Sequence, residues 1–584
     1  MRKRKNSARQ LPQKAIPVLI VSGLILLILA FIVGSALVKR YTPGTERMAL
    51  TDYYGISNES QVAITLNNTV LDNYATSMDG TIYLDYHFVH DILNSRFYWD
   101  FNENILLYTT ASNIISAKSD SNTYNVGKTT NDYGRTIVKA NADSAWIDLE
   151  FVKNYSDFNY TIYENPSRIV ITNAWEEITT AKVKKDTQIR EKGGIKSLIL
   201  TDVAKNDVVT ILETDEKWTK VCTTDGISGY IRSKYVTNTA TTTPVSEFVP
   251  EEFTHLKLDK SVNLVWHQMY GSSNATQAIN LLTNSKGVNV VSPTWFFVKN
   301  NNGDITSIAD NEYVNYCHSQ GVQVWGLVSN FDTQSSDVDS SYLLTHTSSR
   351  QNLVNQLIAK ALEYDLDGIN VDFESMNGPK VGDGYIQFIR ELSIKCANND
   401  IILSVDVPVP AAYNNFYNYT DLALFADYVV VMAYDEHYGQ ASGEGSVASL
   451  SWTEEAINNL LKEEVPADQI VFGIPFYTKL WNLIPTTDEQ HADSSYVIGF
   501  ENLGMDTALN WMNTNIDKPV WLEDCGQYYG ECVNDGKIYK MWLEDTASLE
   551  KRLQLMKKYN LAGAAFWKYG LETDKVWDII IKYL

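Results

Sequence analysis

The chain has 584 residues, 44% of them hydrophobic, and a formal net charge of -23. That length exceeds what one hydrophobic core serves and suggests three or four units. Without the eight basic residues of positions 1–40, where no acid occurs, the remainder carries -31, and it has no basic stripe to displace counterions from phosphates, which excludes a nucleic-acid partner.

Residues 1–14 form a basic tail with Arg2, Lys3, Arg4, Lys5, Arg9 and Lys14, and residues 15–38 are uncharged and apolar. At about 1.5 Å per residue the apolar run reaches about 36 Å, enough to cross a hydrocarbon layer of about 30 Å. The flanking basic residues favour a cytoplasmic N-terminus. A retained single-span anchor in the cell membrane is expected, with the rest of the chain extracytoplasmic; a cleaved secretory signal is the alternative.

Residues 41–60 read as a polar stem. A repeat at an offset of 63 then sets residues 82–110 over 145–173, pairing Leu84 with Ile147, Asp85 with Asp148, Phe88 with Phe151 and Asn102 with Asn165. Each copy reads as a strand, a short helix and a hairpin, and two such units are expected to pair into one α+β domain at 61–175. The repeat resembles the one at the N-terminus of copper amine oxidases and of many bacterial envelope proteins, without any copper site. His87 and His90 read as surface or packing residues.

Residues 181–236 change to short strands split by glycine or charged turns, which predicts a small β-barrel. Ile189-Arg190, Trp218-x-x-Val221 and Gly229-Tyr230-Ile231 resemble a bacterial SH3-like domain, a resemblance that implies cell-wall peptide binding or a spacer. Residues 237–252, TNTATTTPVSEFVPEE, read as a linker.

From 255 to 584 apolar runs alternate with helical stretches. The runs lie at 262–266, 288–292, 322–328, 367–374, 401–407, 427–434, 470–476 and 563–567. Eight of them fit a (β/α)8 TIM barrel enlarged by insertions, with an open sheet as the alternative. Five cysteines are too few for a disulfide framework and give no thiolate cluster, and the eight histidines show no HExxH spacing, so neither metal nor cofactor is expected. Cys525 and Cys532, within CGQYYGEC, are a candidate staple of an external loop, whereas Cys222, Cys317 and Cys396 read as core thiols.

The most informative segment is Asp367-Gly368-Ile369-Asn370-Val371-Asp372-Phe373-Glu374. Side chains alternate along a strand, so Asn370, Asp372 and Glu374 share one face while Ile369, Val371 and Phe373 share the other. Acids at strand ends can simply cap helices. One carboxylate below another, however, raises a pKa, and a general acid at neutral pH needs that.

The segment resembles the Asp-x-x-Asp-x-Asp-x-Glu motif of glycoside hydrolase family 18, the chitinases and related N-acetylglucosaminidases. The resemblance implies that Glu374 is the acid and that Asp372 orients the substrate's acetamido group. Asp367 and Asn370 would support the relay, Asn370 standing where the family usually has Asp. It also implies that the carbonyl oxygen of that acetamido group replaces a protein nucleophile. Met432-Ala433-Tyr434-Asp435 resembles the sixth-strand element, with Tyr434 bonding the acetamido oxygen and Asp435 the sugar. Gly473 to Tyr477 resembles the seventh-strand element, although Thr478-Lys479 follows where many relatives carry Gly-Arg. Trp567 stands where the family keeps an indole under the reacting sugar. Trp295, Phe296, Asn330, Phe331, Glu436 and His437 are candidate cleft residues, each open to a loop-packing reading. Glu544 also has a family look, beside a helix cap at Asp545 or Ser548.

The resemblance implies retaining hydrolysis of a β-1,4-linked N-acetylglucosamine polymer. Peptidoglycan or spore cortex is the first expectation, chitooligosaccharides the second, and non-catalytic glycan binding the alternative class.

Overall fold

The structure is a computed structural model, and it describes residues 16–330, 338–374, 376, 378–485 and 496–584. Two compact units emerge, one of residues 1–95 and 144–250, the other of 96–143 and 251–584. An apolar helix, Ile16–Tyr41, opens the described chain; its stretch Ile20–Tyr41 has mean hydropathy 2.7 and is unburied. The basic residues expected to orient it lie outside the described residues.

In the first unit the repeat is built around a pseudo-twofold. The strands Thr81–Asp85 and Ala145–Asp148 pair antiparallel, with Leu84 facing Ile147, its own equivalent in the other copy. Asp85 and Asp148 then do one job twice. Each ends its strand and caps the following short helix, Asp85 accepting from the backbone N–H of His87 and Phe88, Asp148 from that of Phe151. Beyond the helices the copies part. The hairpin of the second, Asn159–Tyr163 with Arg168–Thr172, continues the same sheet through Gln61–Leu66. The hairpin of the first, Phe97–Asp100 with Ile105–Thr109, belongs to a five-stranded sheet of the second unit.

The SH3-like part is a seven-stranded antiparallel sheet around Val183, Ile189, Val203, Val209, Val221 and Ile231. It takes in the first residues expected to be linker: Val236–Thr242 pairs with Ile178–Val183. A threonine-rich run has the β-branched side chains that suit an edge strand, and that outweighs its loop-like polarity.

In the second unit eight parallel strands close into a barrel. They are β1 (Val262–His267), β2 (Val290–Val298), β3 (Gln323–Ser329), β4 (Gly368–Asp372), β5 (Ile402–Pro408), β6 (Tyr428–Met432), β7 (Ile470–Pro475) and β8 (Gly563–Trp567). The surrounding helices include α1 (Thr347–Glu363), α2 (Pro379–Ala397), α3 (Leu450–Lys462) and α4 (Thr546–Lys558). The alternation read in β4 holds: Ile369, Val371 and Phe373 lie in the outer core with Leu353 and Leu357 of α1 and Ile389 of α2. Burying each such side chain stabilises by about 1.5–3 kcal/mol. At the base of the barrel Gly368 makes room for the Trp325 indole, since a Cβ there would sit 2.6 Å from its Cδ1.

Between β7 and α4 a second, antiparallel sheet is inserted, formed by Tyr477–Pro485, Tyr496–Gly504, Val520–Leu522, Gln527–Asn534 and Lys537–Leu543. This corrects the expected staple, because both Cys525 and Cys532 are free thiols. The stretch from Gln527 to Cys532 is extended strand, and five steps of about 3.3 Å carry the second thiol well beyond the roughly 7 Å between Cα atoms that a disulfide spans.

Candidate active site

The C-terminal ends of β4, β5, β6 and β8 bring together the chemically suited side chains, which is where a barrel of this type keeps its site. Glu374 follows β4 at the mouth and is exposed; Asp372 below it is 7% exposed and Asn370 is fully buried. Burial, with the charge of Asp435 second, pushes the Glu374 carboxyl above its ordinary value. Asp372 is pushed well above its own, first by burial and then by Asp406 and Glu374. Its Oδ1 is buried and has no hydrogen-bond partner among the described residues.

Tyr434 follows β6, its ring edge-on to Trp266 at 6.5 Å and to Tyr477 at 6.4 Å. Trp266 in turn packs edge-on to Trp567 at 5.8 Å. Trp567 is half-buried at the end of β8. Asp435 is exposed, takes a left-handed backbone (φ 60°), and accepts from Tyr477 Oη at 2.7 Å and from the buried Lys479 ammonium. Lys479 also donates to the His437 carbonyl at 2.8 Å. Met432 is half-buried at the end of β6.

Several expected residues lie elsewhere. Asp367 stands at the opposite end of β4, where its carboxylate accepts from the Val324 backbone N–H at 2.8 Å and bonds His318 Nε2 at 2.8 Å. Five strand steps of about 3.3 Å separate it from Asp372, so it serves strand pairing and not a relay. Asn370 turns from Asp372: its Nδ2 donates to Asp406 Oδ1 at 2.7 Å, and its Oδ1 accepts from Trp266 Nε1 at 3.0 Å and Ser292 Oγ at 2.8 Å.

Trp295 and Phe296 are fully buried in the core, the Trp295 indole donating to Ser273 Oγ at 2.7 Å. Large aromatic area on an inner strand is stabilised more by packing than by sugar contact. Asn330 is 2% exposed and holds the turn after β4, accepting from the Glu374 backbone N–H at 3.1 Å. Phe331 lies outside the described residues. Glu436 accepts from the Ser449 backbone N–H at 2.8 Å ahead of α3, and His437 bonds the Ser446 carbonyl, so both hold a loop. Glu544 is buried and forked to Arg552, while Asp545 and Ser548 form the capping box of α4.

Sequence reasoning missed Asp406, Trp266, Ser292 and Lys479 as parts of this site. The signal for Asp406 was present: within ILSVDVP the polar Ser404 and Asp406 alternate with apolar residues as in β4.

Residues 267–572 match the family model Glycosyl hydrolases family 18, and residues 185–237 match Bacterial SH3 domain. The chain is similar to Uncharacterized glycosylase YvbX of Bacillus subtilis (strain 168), 27% identical over 304 residues, which are 50% of this chain and 83% of that protein. It is 24% identical over 274 residues to the Cortical fragment-lytic enzyme of the same organism, spanning 45% of this chain and 60% of the relative's length. Among solved structures it is similar to the Bacillus megaterium QM B1551 spore cortex-lytic enzyme SleL, with TM-score 0.48 and 17% identity over 59% of this chain and 78% of that one. The family match covers more than half of the chain and runs through the ends of β4, β5, β6 and β8: the chain belongs to glycosyl hydrolases family 18 and is a glycosidase.

Proposed function

We propose that this glycosidase cleaves β-1,4 bonds beside N-acetylglucosamine in peptidoglycan or its spore-cortex form, with retention of configuration and with the substrate's own acetamido group as nucleophile. Glu374 protonates the glycosidic oxygen, the acetamido oxygen attacks C1, and water then enters with Glu374 acting as base. Asp372 takes the acetamido N–H, Tyr434 bonds its oxygen, and Trp567 lies under the ring. The observation that carries this reading is the buried, unpartnered Oδ1 of Asp372 beneath an acid of raised pKa. A buried acceptor without a donor costs roughly 1–3 kcal/mol, and an acetamido N–H is the donor that would relieve it.

Asp435, the other exposed acid of the site, is held by Tyr477 and Lys479, which suits a sugar contact better than nucleophilic attack. Exposed Tyr270, Tyr413 and Tyr438, on the loops after β1, β5 and β6, offer apolar faces to neighbouring sugars. The choice of peptidoglycan is supported by the printed name of the cortical fragment-lytic relative and by the SH3-like domain, read here as a cell-wall contact or spacer. In the same reading the helix Ile16–Tyr41 anchors the protein in the cell membrane with its catalytic unit outside.

The test is digestion of purified sacculi, cortex fragments and chitohexaose by the full chain and by Glu374→Gln, with products weighed by mass spectrometry. New reducing N-acetylglucosamine ends from the wall polymers, absent with E374Q, are expected. Release from chitohexaose alone would replace the substrate, and binding without release from any of the three would replace the enzyme by a glycan-binding protein.

A further inference from the structure

The family motif has a carboxylate where this chain has Asn370, and the structure contains a carboxylate that the motif does not predict. Asp406, on β5, is 2% exposed. The register of β4 and β5 pairs Asn370 with Ser404 and Val371 with Val405, so the next step sets Asp372 beside Asp406 on neighbouring strands about 4.8 Å apart. Both side chains point into the barrel.

Asn370 cannot hold Asp372 in this arrangement. Its oxygen is taken by two donors, the Trp266 indole and the Ser292 hydroxyl, and this fixes which end of the amide faces β5. Its Nδ2 is spent on Asp406 Oδ1. The same bond pins that oxygen as an acceptor, so a proton on Asp406 must sit on the other oxygen.

Resting on the reading above, we propose that Asp406 is the positioning carboxylate of the reaction: it shares one proton with Asp372 and takes it during glycosidic cleavage, the work the family motif assigns to residue 370. Two adjoining buried carboxyls do not both ionise. The titratable groups around the pair among the described residues are Glu374 after β4, Tyr434 after β6, Tyr385 from α2 and Tyr417 after β5, none of them cationic. In the resting pair Asp372 holds the proton and Asp406 is the carboxylate. When the acetamido oxygen attacks and the ring gains positive charge, the proton passes from Asp372 to Asp406, leaving Asp372 ionised against the cation. Reversal in the water step returns it. Burial above all holds the Asp406 carboxyl up to about 8, so at neutral pH it can take the proton that Asp372 gives up.

The test compares the full-length protein with Asp406→Asn, Asn370→Asp and the exchanged pair N370D/D406N on a fluorogenic chitobioside across pH 4–9, with melting curves as a check on folding. For D406N a fall of about 100-fold in kcat is expected, with KM within about threefold. The acid limb of its kcat profile should move to higher pH, because a lone buried Asp372 has no neighbour to hold its proton. N370D/D406N should recover at least tenfold of that loss. A D406N protein that keeps half of kcat with an unmoved profile overturns the proposal, as does an exchanged pair that folds yet recovers nothing. A wild type inactive on every sugar overturns the function proposed above instead. Asp406 is then judged by binding of an N-acetylglucosamine thiazoline, where D406N within threefold of wild type overturns it.

Discussion

The second unit crowds acids in two ways. At the barrel mouth Asp372, Asp406 and Glu374 crowd together with no cation beside them among the described residues. In the outer layers Glu391 faces Arg350, and Glu544 is forked by Arg552 through two bonds of 2.8 Å. Burial raises the carboxyls in both places, but only in the outer layers does a guanidinium pull them back. Unpaired acids weaken a fold and are kept where a proton must be held for chemistry, whereas paired ones stand or fall with their partner. Removing the acid in the first region should therefore cost activity and not stability, and breaking a pair in the second should do the reverse.

The largest effect expected on this contrast is that of Glu374→Gln: a fall in kcat of about 10³-fold or more, with a melting temperature equal to or above that of the parent. Turnover of defined oligosaccharides beside a thermal melt checks both halves. A melting loss of many degrees would make Glu374 a structural acid and erase the distinction.

Next in size is Arg552→Ala, which leaves Glu544 buried without a cation and should destabilise the barrel by about 3–5 kcal/mol. Glu544 would keep only Gln527 and Ser548 as donors. Denaturant unfolding measures the loss, and at low temperature kcat should stay near that of the parent. Replacing both partners, E544M with R552M, should recover most of the stability, because the cost lies in the orphaned charge.

A smaller, pH-dependent effect separates the regions by sign. The folded chain holds a proton on the Asp372–Asp406 pair that the unfolded chain releases above about pH 4. The mouth therefore lowers stability progressively as pH rises from about 4 toward the Asp406 value of about 8. Asp406→Asn removes a titrating site from this region, so its melting temperature should gain on the parent by a few degrees at pH 8 and by little at pH 4. A constant difference across that range would count against a shared proton.

How much of this was legible depended on whether a feature is periodic or positional. The strand bearing Asn370, Asp372 and Glu374 declared its inner face by alternation alone, whereas Tyr434 and Trp567 were marked by the resemblance of their strand ends to the family's motifs. Asp367 misled because motif spacing counts residues, and the strand converts that count into length, carrying it to the far end of the barrel. Asp406 sits in a run that reads as one more buried strand, and its partner is fixed only by the register of β4 on β5. Lys479 looked like a mere departure from Gly-Arg, yet it supplies the cation for Asp435. Trp266 reads as the end of an apolar run, and a strand's pattern does not say that its indole N–H needs an acceptor. The repeat was visible, but the parting of its hairpins was not, since both keep the same hydrophobic pattern. The differing positions carry the signal: Tyr98, Asp100 and Glu103 in the first copy stand over Thr161, Tyr163 and Pro166 in the second.

Those three residues set up the smallest effect and extend the contrast to an acid that pairs with a helix end. Helix α1 has no side-chain cap of its own at His346. Asp100 provides one from the first-copy hairpin, its Oδ2 accepting from the Thr347 backbone N–H and hydroxyl, each at 2.6 Å, while its Oδ1 accepts from Asn102 and Glu103 N–H. Glu103 adds a bond from the Ser348 N–H, and Tyr98 lies under the Arg350 guanidinium at 4.8 Å. Asp100→Ala should thus cost about 2 kcal/mol, the upper range for a lost cap, with kcat unchanged because α1 carries none of the reacting groups. Tyr163→Ala, at the matching position of the second copy, should leave the barrel's own unfolding transition where it was. If the two substitutions lowered that transition equally, the first-copy hairpin would be no part of the barrel's stability. If only Asp100→Ala lowered it, a fragment of 251–584 would be an incomplete barrel, lacking the acid that starts one of its helices.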